Sequence, residues 1–298
     1  MSRLAIVGLV LLALIGFAAN SLLCRAALGA GSIDAASFTA IRIASGALIL
    51  IVLSRGKRAG SWASAFALFA YAAAFSFAYL RLVTATGALI LFATVQATMI
   101  GVGVARGERP TLFEWLGFAI AIAGLVVLVL PGLASPDPIG AVLMAIAGAS
   151  WGIYSLRGRG ATNPLAVTAD NFLRAVPMAA LLLLAIPFTG GSAEPRGIAL
   201  AIASGAIASG IGYTLWYAAL PSLAAVRAAI VQLSVPVLAA ASGALVLHET
   251  VTLRLAVATG LIIGGIALAL LAKRQRIQVA APPHTPRSHE PAGQRRSF

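Results

Sequence analysis

Apolar residues run along this chain in blocks of roughly twenty, divided by short stretches of glycine, proline or charged residues. The blocks are Leu4–Leu23, Ala35–Leu53, Trp62–Tyr79, Thr84–Ala105, Leu112–Leu130, Ile139–Leu156, Leu165–Pro187, Ile198–Leu220, Ala224–Leu247 and Leu253–Ala272. Each is close to the ~20 residues that an α-helix needs to cross a ~30 Å hydrocarbon core. Strands of a membrane barrel would instead alternate apolar and polar residues over about ten positions. The pattern predicts an all-α membrane protein with ten transmembrane helices.

Composition agrees. Hydrophobic residues fill 60% of the 298 positions and charged residues only 10%, with a mean hydropathy of +0.99. A soluble domain carries about 25% charged residues, and water offers no place for so much apolar surface. The lipid bilayer is therefore the expected surroundings. The net charge of +13 would suit a nucleic-acid binder, but its distribution does not. Lysine and arginine gather in the short breaks between blocks and near the C-terminus, with no basic groove, so no nucleic-acid partner is expected.

The breaks also orient the chain. One set holds Arg3, then Arg55, Lys57 and Arg58, then Arg106 and Arg109, then Arg157 and Arg159, then Lys273, Arg274 and Arg276. The alternate set holds Arg25, Arg81, Arg196 and Arg254, each alone in its loop. Cytoplasmic loops are the basic ones, so both termini are expected in the cytoplasm of a bacterial-type inner (plasma) membrane. The first block resembles a signal peptide after Arg3, but it continues to Leu23, long enough to span, and bulky Leu23 precedes Cys24 where a lipoprotein cysteine follows a small residue. Cys24 is the single cysteine, which excludes a disulfide framework or thiolate metal site within one chain.

The blocks repeat. Aligning the stretch from Thr84 with that from Ala224 sets Gln96 opposite Pro236, Glu108 opposite Glu249 and Gly124 opposite Gly265, while Arg42 has its counterpart in Arg174. A unit with five crossings ends on the side opposite to its start, so its copy lies upside down in the membrane. Inverted repeats of this kind place a solute site near the midplane between the halves. The expected division is residues 1–133 for the first five-helix repeat, 134–274 for the second, and 275–298 for a disordered cytoplasmic tail too polar to bury itself.

At these residues the chain resembles the EamA-type branch of the drug/metabolite transporter superfamily. The resemblance rests on Phe38-Thr-Ala-Ile-Arg42, on Gly107-Glu108-Arg109-Pro110-Thr111, and on His248-Glu249-Thr250-Val251-Thr252, the two loops each leading into a glycine-containing fifth helix. It implies ten helices around a central cavity and export of amino acids, aromatic ones included, or related metabolites, although some members of the superfamily carry nucleotide sugars or cofactors instead. Gln96 departs from the pattern, standing where the fourth helix often has proline, while Pro236 keeps that residue in the ninth.

Few residues could carry chemistry. Gly148-Ala-Ser150-Trp-Gly152 matches a nucleophile elbow, but that motif needs a strand-to-helix turn with histidine and acid nearby. Here it lies inside an apolar block and reads instead as Gly-xxx-Gly packing, as do Gly103 with Gly107 and Gly260 with Gly264. No phosphate-binding Gly-rich Lys-Ser/Thr loop and no histidine–carboxylate cluster occurs, so neither enzyme activity, cofactor nor metal is expected.

The ionisable residues inside the blocks are Arg42, Asp170, Arg174 and Arg227. Asp170 and Arg174, four apart, can pair on one helix face. They read either as structural charges or, for Arg42 and Asp170, as a substrate-carboxylate site and a proton-coupling acid. The expected substrate contacts are polar and aromatic: Tyr79, Trp151, Tyr154, Tyr213, Trp216 and Tyr217, with the amides Asn20, Gln96 and Gln232 that lipid would penalise. Ser209 shares the face of Tyr213 and Tyr217, and Phe75 that of Tyr79. Such a cavity suits a small, partly apolar solute. Pro236 interrupts the ninth block and would let a gate bend. Rival readings are a channel, which lacks the expected ring of polar pore residues, a structural membrane protein, and an intramembrane enzyme. The sequence leaves the oligomeric state open, with a monomer compatible with it.

Overall fold

The computed structural model describes residues 2–107, 109–129, 135–158, 161–186, 191–219, 222 and 231–280. Glu108, Arg227 and the tail beyond Ala280, all singled out in the sequence, lie outside them. The described residues form helices: α1 (Arg3–Leu28), α2 (Ala35–Leu53), α3 (Trp62–Tyr79), α4 (Thr84–Ala105), α5 (Leu112–Val129), α6 (Pro138–Arg157), α7 (Pro164–Leu182), α8 (Pro195–Ala219), α9 (Ser234–Leu247) and α10 (Leu253–Ala280). No strand forms among them beyond a single bridge between Ile33 and Ala193. The helices α1–α4 and α6–α8 are long and apolar enough to cross a membrane, and α5, α9 and α10 contribute shorter apolar stretches.

Local chemistry sets the helix starts. Side chains of Ser2, Asp34, Ser61, Asp137 and Asn163 accept the backbone N–H three residues on, capping α1, α2, α3, α6 and α7. Pro138, Pro164 and Pro195 occupy first-turn positions that lose no hydrogen bond. Thr111 and Glu114 form a reciprocal capping box on α5, and Thr252 caps α10 through Leu255 N–H. That explains why both charged loops end in threonine. The last helix continues past Gln275, where the tail was expected to begin, through a run of helix-favouring Lys, Arg and Gln.

The principal pairings are α5 with α10, α2 with α7, α4 with α9, α3 with α6 and α1 with α8, α4 with α6 and α1 with α9, and α2 with α8 and α3 with α7. Exchanging each helix for the one five places away leaves this set unchanged. α5 and α10 run antiparallel: a Cβ on Gly117 would meet the Gly265 carbonyl and Ala269 N, and one on Gly265 would meet the Gly117 carbonyl and Ala121 N. The outer surface carries large apolar side chains such as Leu112, Leu184, Leu245 and Leu253, as lipid contact requires.

Interhelical contacts are tightest where residues are small. Gly148 and Gly152 of α6 press on Leu91, Thr94 and Thr98 of α4, so this pair is a packing motif. Among the described residues no heavy atom lies within 4 Å of a Cβ built at Gly260 or Gly264, so the expected packing is not seen there; α10 turns Ala258, Ile262, Gly265 and Ala269 inward instead. Gly103 is only partly buried, and Gly107, at φ +90°, turns the chain after α4 and meets nothing within 4 Å.

Candidate functional site

The two ends of the bundle are fastened differently. At one end, both carboxylate oxygens of Glu249 accept the Thr84 N–H that opens α4, at 3.0 and 2.8 Å, and Glu249 lies 3.5 Å from Arg25. Arg25 also donates to the Tyr79 carbonyl, and the Tyr79 hydroxyl donates to that of Thr84. Arg81 pairs with Asp137 at 3.4 Å, and the α1–α2 and α7–α8 loops exchange backbone bonds at Asp34–Ser192 and Glu194–Ser32. At the other end, Asp170 accepts Gly60 N–H and pairs with Arg174 at 3.2 Å, Asn171 accepts Ser61 N–H, and Arg157 donates to Ser64. The Arg174 guanidinium lies over Trp62, 5.2 Å from the ring centroid.

Between these ends lies a cavity lined by Phe17, Asn20 and Ser21 of α1, Tyr71 and Phe75 of α3, Leu91 and Phe92 of α4, Trp151 of α6, Tyr213 of α8, and Gln232 just ahead of α9. It holds about 430 Å³ of empty space, its open mouth included. Trp151 is the centre of the aromatic wall: its ring stacks on Tyr154 at 5.3 Å and Tyr213 at 5.4 Å, and meets Tyr71 at 4.9 Å. Phe17 closes the wall against Tyr213 and Trp216.

Backbone irregularities shape this site. The middle of α8, Ala203–Ile211, is a π-helix, a wider turn that recurs at functional sites. It lets Ser204 and Ser209, five residues apart, both donate to the Asn20 side-chain carbonyl, at 2.8 and 3.3 Å. In the same segment Gly205 lies against the Arg42 carbonyl and the Ser45 hydroxyl of α2, where any Cβ would collide. The helical pattern also breaks at Leu233, one turn before Pro236. Proline has no N–H for the Gln232 carbonyl four residues back, and Gln232 is the residue that reaches the cavity. α4 runs unbroken past Gln96.

Of the expected contacts, Asn20, Trp151, Tyr213 and Gln232 line the cavity. Tyr154 and Tyr217 stand behind it, joined through the Thr168 hydroxyl, and Trp216 packs edge-on to Phe17. Tyr79 belongs to the fastened end near Glu249, and Gln96 borders a smaller cleft with Phe118 and Ile266. Sequence reasoning missed Tyr71, Phe17, Ser21 and the Leu91–Phe92 pair, whose apolar or singly placed side chains carry no signal apart from their neighbours. Ser150 lies within continuous α6, and His248 caps α9 in a left-handed conformation at φ 55°.

Arg42 and Arg174 are repeat counterparts in sequence, yet they sit in different surroundings. Arg174 is partnered at the bundle end, whereas Arg42 is only 2% exposed and lies against the cavity wall. Its Nη2 donates to the Tyr71 hydroxyl at 2.8 Å, and its guanidinium carbon is 5.2 and 4.9 Å from the Tyr71 and Phe75 ring centroids. An arginine inside a bilayer costs about 2.5–3.5 kcal/mol on insertion scales. Cation–π contact returns about 0.5–2 kcal/mol and the phenol bond about 1 kcal/mol. Nη1, however, has no hydrogen-bond partner among the described residues, so part of the cost stands.

With this geometry in place, known proteins decide the family. The EamA-like transporter family matches residues 138–271. An uncharacterised Pseudomonas aeruginosa protein is 54% identical over 269 residues, spanning 88% of this chain and 93% of its own. The chain belongs to the EamA-like transporter family. An uncharacterised transporter of Archaeoglobus fulgidus is 30% identical over 163 residues, 53% of this chain and 58% of its own, and the uncharacterised inner membrane transporter YedA of Escherichia coli K12 is 33% identical over 82 residues, 28% and 27%. A solved crystal structure superposes with a TM-score of 0.64 at 22% identity, covering 92% of this chain and 99% of that one, and so shares the fold. This EamA-type protein is accordingly a multi-pass membrane transporter.

Proposed function

We propose that the chain is a secondary transporter or facilitator that exports small organic solutes, amino acids (aromatic ones included) or related metabolites, by alternating access. The observation that carries this reading is the cavity of aromatic rings and two amides, Asn20 and Gln232, bounded by helices of both halves. Rings offer stacking surfaces and amides offer a few fixed hydrogen bonds, the combination a small amphipathic solute needs. Ten crossings arranged as two inverted five-helix repeats are supported by pairings that survive exchange of each helix with the one five places on, and by antiparallel α5 and α10. The basic loops favour cytoplasmic termini. Pro236 and the break at Leu233 supply a bend beside the cavity. Asp170 is engaged by Gly60 and Arg174 at the bundle end, which favours a fastening role over proton coupling.

Purified protein in proteoliposomes, offered radiolabelled amino acids with and without a pH gradient, tests the reading. Saturable uptake competed by unlabelled solute is expected. Flux that never saturates would mark a channel and refute the carrier. Tyr213→Ala and Trp151→Ala should raise the apparent KM several-fold, since each removes a ring of the wall and an aromatic pair contributes about 0.5–1.5 kcal/mol; an unchanged KM would remove these residues from the site.

A further inference from the structure

We propose that the cleft bounded by α4, α5 and α10 is a second binding site, which takes a small neutral molecule from the lipid phase: an apolar body whose one hydroxyl or carbonyl group is seated on the Gln96 amide. The cleft shares no lining residue with the central cavity, so it stands whatever that cavity carries. Gln96 lies near the middle of α4, a helix long and apolar enough to cross the membrane, and is only 7% exposed. Its side chain has no hydrogen-bond partner among the described residues. Other polar side chains buried within the spans have one: Asn20 meets Ser204 and Ser209, Thr39 and Ser76 donate to carbonyls of their own helices, and Thr168 joins Tyr154 and Tyr217. Hydrocarbon offers an amide nothing in exchange for water.

Nothing in the packing of α4 calls for that amide. The helix runs unbroken past Gln96, so no freed carbonyl needs it, and the repeat counterpart of Gln96 is Pro236. The space around it is built by small residues. Ala93 and Ala97 share the Gln96 face of α4. α5 and α10 are drawn together at Gly117 and Gly265, and one turn further on each brings an alanine, Ala121 and Ala269, to the cleft. About 320 Å³ of empty space remains, its open side included, near the lower end for small-molecule pockets. The amide is not sealed by its neighbours but opens into this space. Phe118 gives an apolar wall, and Ile122 at the rim is 38% exposed on the lipid-facing surface, so entry is from the bilayer. No charged side chain lines the cleft, so an ionised ligand would lose its hydration without replacement. One carbonyl and two N–H groups on Gln96 suit a neutral partner of either hydrogen-bonding sense.

The full chain in lipid nanodiscs tests this with two photoreactive probes, a diazirine-bearing octanol and the matching diazirine-bearing octane, which lacks the hydroxyl. Peptide mapping should place the alcohol's adducts on the cleft residues of α4, α5 and α10, about fivefold above the alkane's, the scale of one hydrogen bond. Excess 1-octanol should compete these adducts away, and n-octane should not. Gln96→Leu should bring the alcohol down to the level of the alkane, whereas Trp151→Ala, which alters only the central cavity, should leave the labelling unchanged. Because the comparison of alcohol with alkane is made in the wild-type protein, it stands even where a variant fails to fold. Equal labelling by both probes would mean that the cleft holds hydrocarbon alone, such as a lipid tail, and would overturn the proposal. So would adducts spread over the whole lipid-facing surface, an alcohol preference that survives in a folded Gln96→Leu protein, or an unlabelled cleft in which Gln96 meets only water.

Discussion

Asn20 shows how a single amide organises a membrane site. Its carbonyl gathers the hydroxyls of Ser204 and Ser209, both fully buried. Asn20→Ala leaves those hydroxyls without their acceptor and should cost about 1–3 kcal/mol, read as a lower melting temperature in detergent. Gly205→Ala should cost a similar amount, about 1–3 kcal/mol, because the new methyl meets the Arg42 carbonyl, while Gly264→Ala, facing open space, should leave the melting temperature unchanged. Polarity inside an apolar block made Asn20, Gln232 and Arg42 legible from the sequence, since lipid penalises them. Tyr71 and Phe17 were not legible. A ring in a membrane helix packs, faces lipid or lines a cavity, and only its neighbours on other helices decide which.

At the scale of elements, run length and break chemistry were enough to find the helices, with caps such as Asp34, Asn163 and Thr252 explaining the starts. The π-segment of α8 was hidden, because it goes with a contact, Gly205 against α2, whereas the break at Leu233 lies one turn before Pro236, the interruption that the sequence did show. The loop motif around Glu249 was visible, but its task was not. Glu249 ties the start of α4 to the end of α1 through Thr84 and Arg25, so opening that end must break these contacts. In a Cys24→Ala, Ser21→Cys protein, Glu249→Gln should speed modification of the new cavity thiol by a membrane-impermeant reagent applied from that side; an unchanged rate would show that the contacts do not hold the end shut. Asp170→Asn should lower the melting temperature by weakening the Gly60 and Arg174 contacts while leaving any pH-gradient response of transport intact. Loss of that response alone would restore a coupling role.

For the whole molecule, alternating access requires the halves to lie upside down relative to each other, so that one cavity can face either side in turn. The pairings α2–α7, α4–α9 and α5–α10 join counterpart helices directly, and the remaining principal pairings exchange in couples. Sequence points to such an arrangement only through weak correspondences such as Gly124 with Gly265, because packing between helices preserves shape and size rather than residue identity. The direct measurement is the sidedness of two single cysteines in intact cells, at Ser2 ahead of α1 and at Pro136 ahead of α6, in a Cys24→Ala background. Inverted halves require a membrane-impermeant thiol reagent to label position 136 in intact cells and position 2 only after permeabilisation; labelling of both positions from the same side would contradict the account.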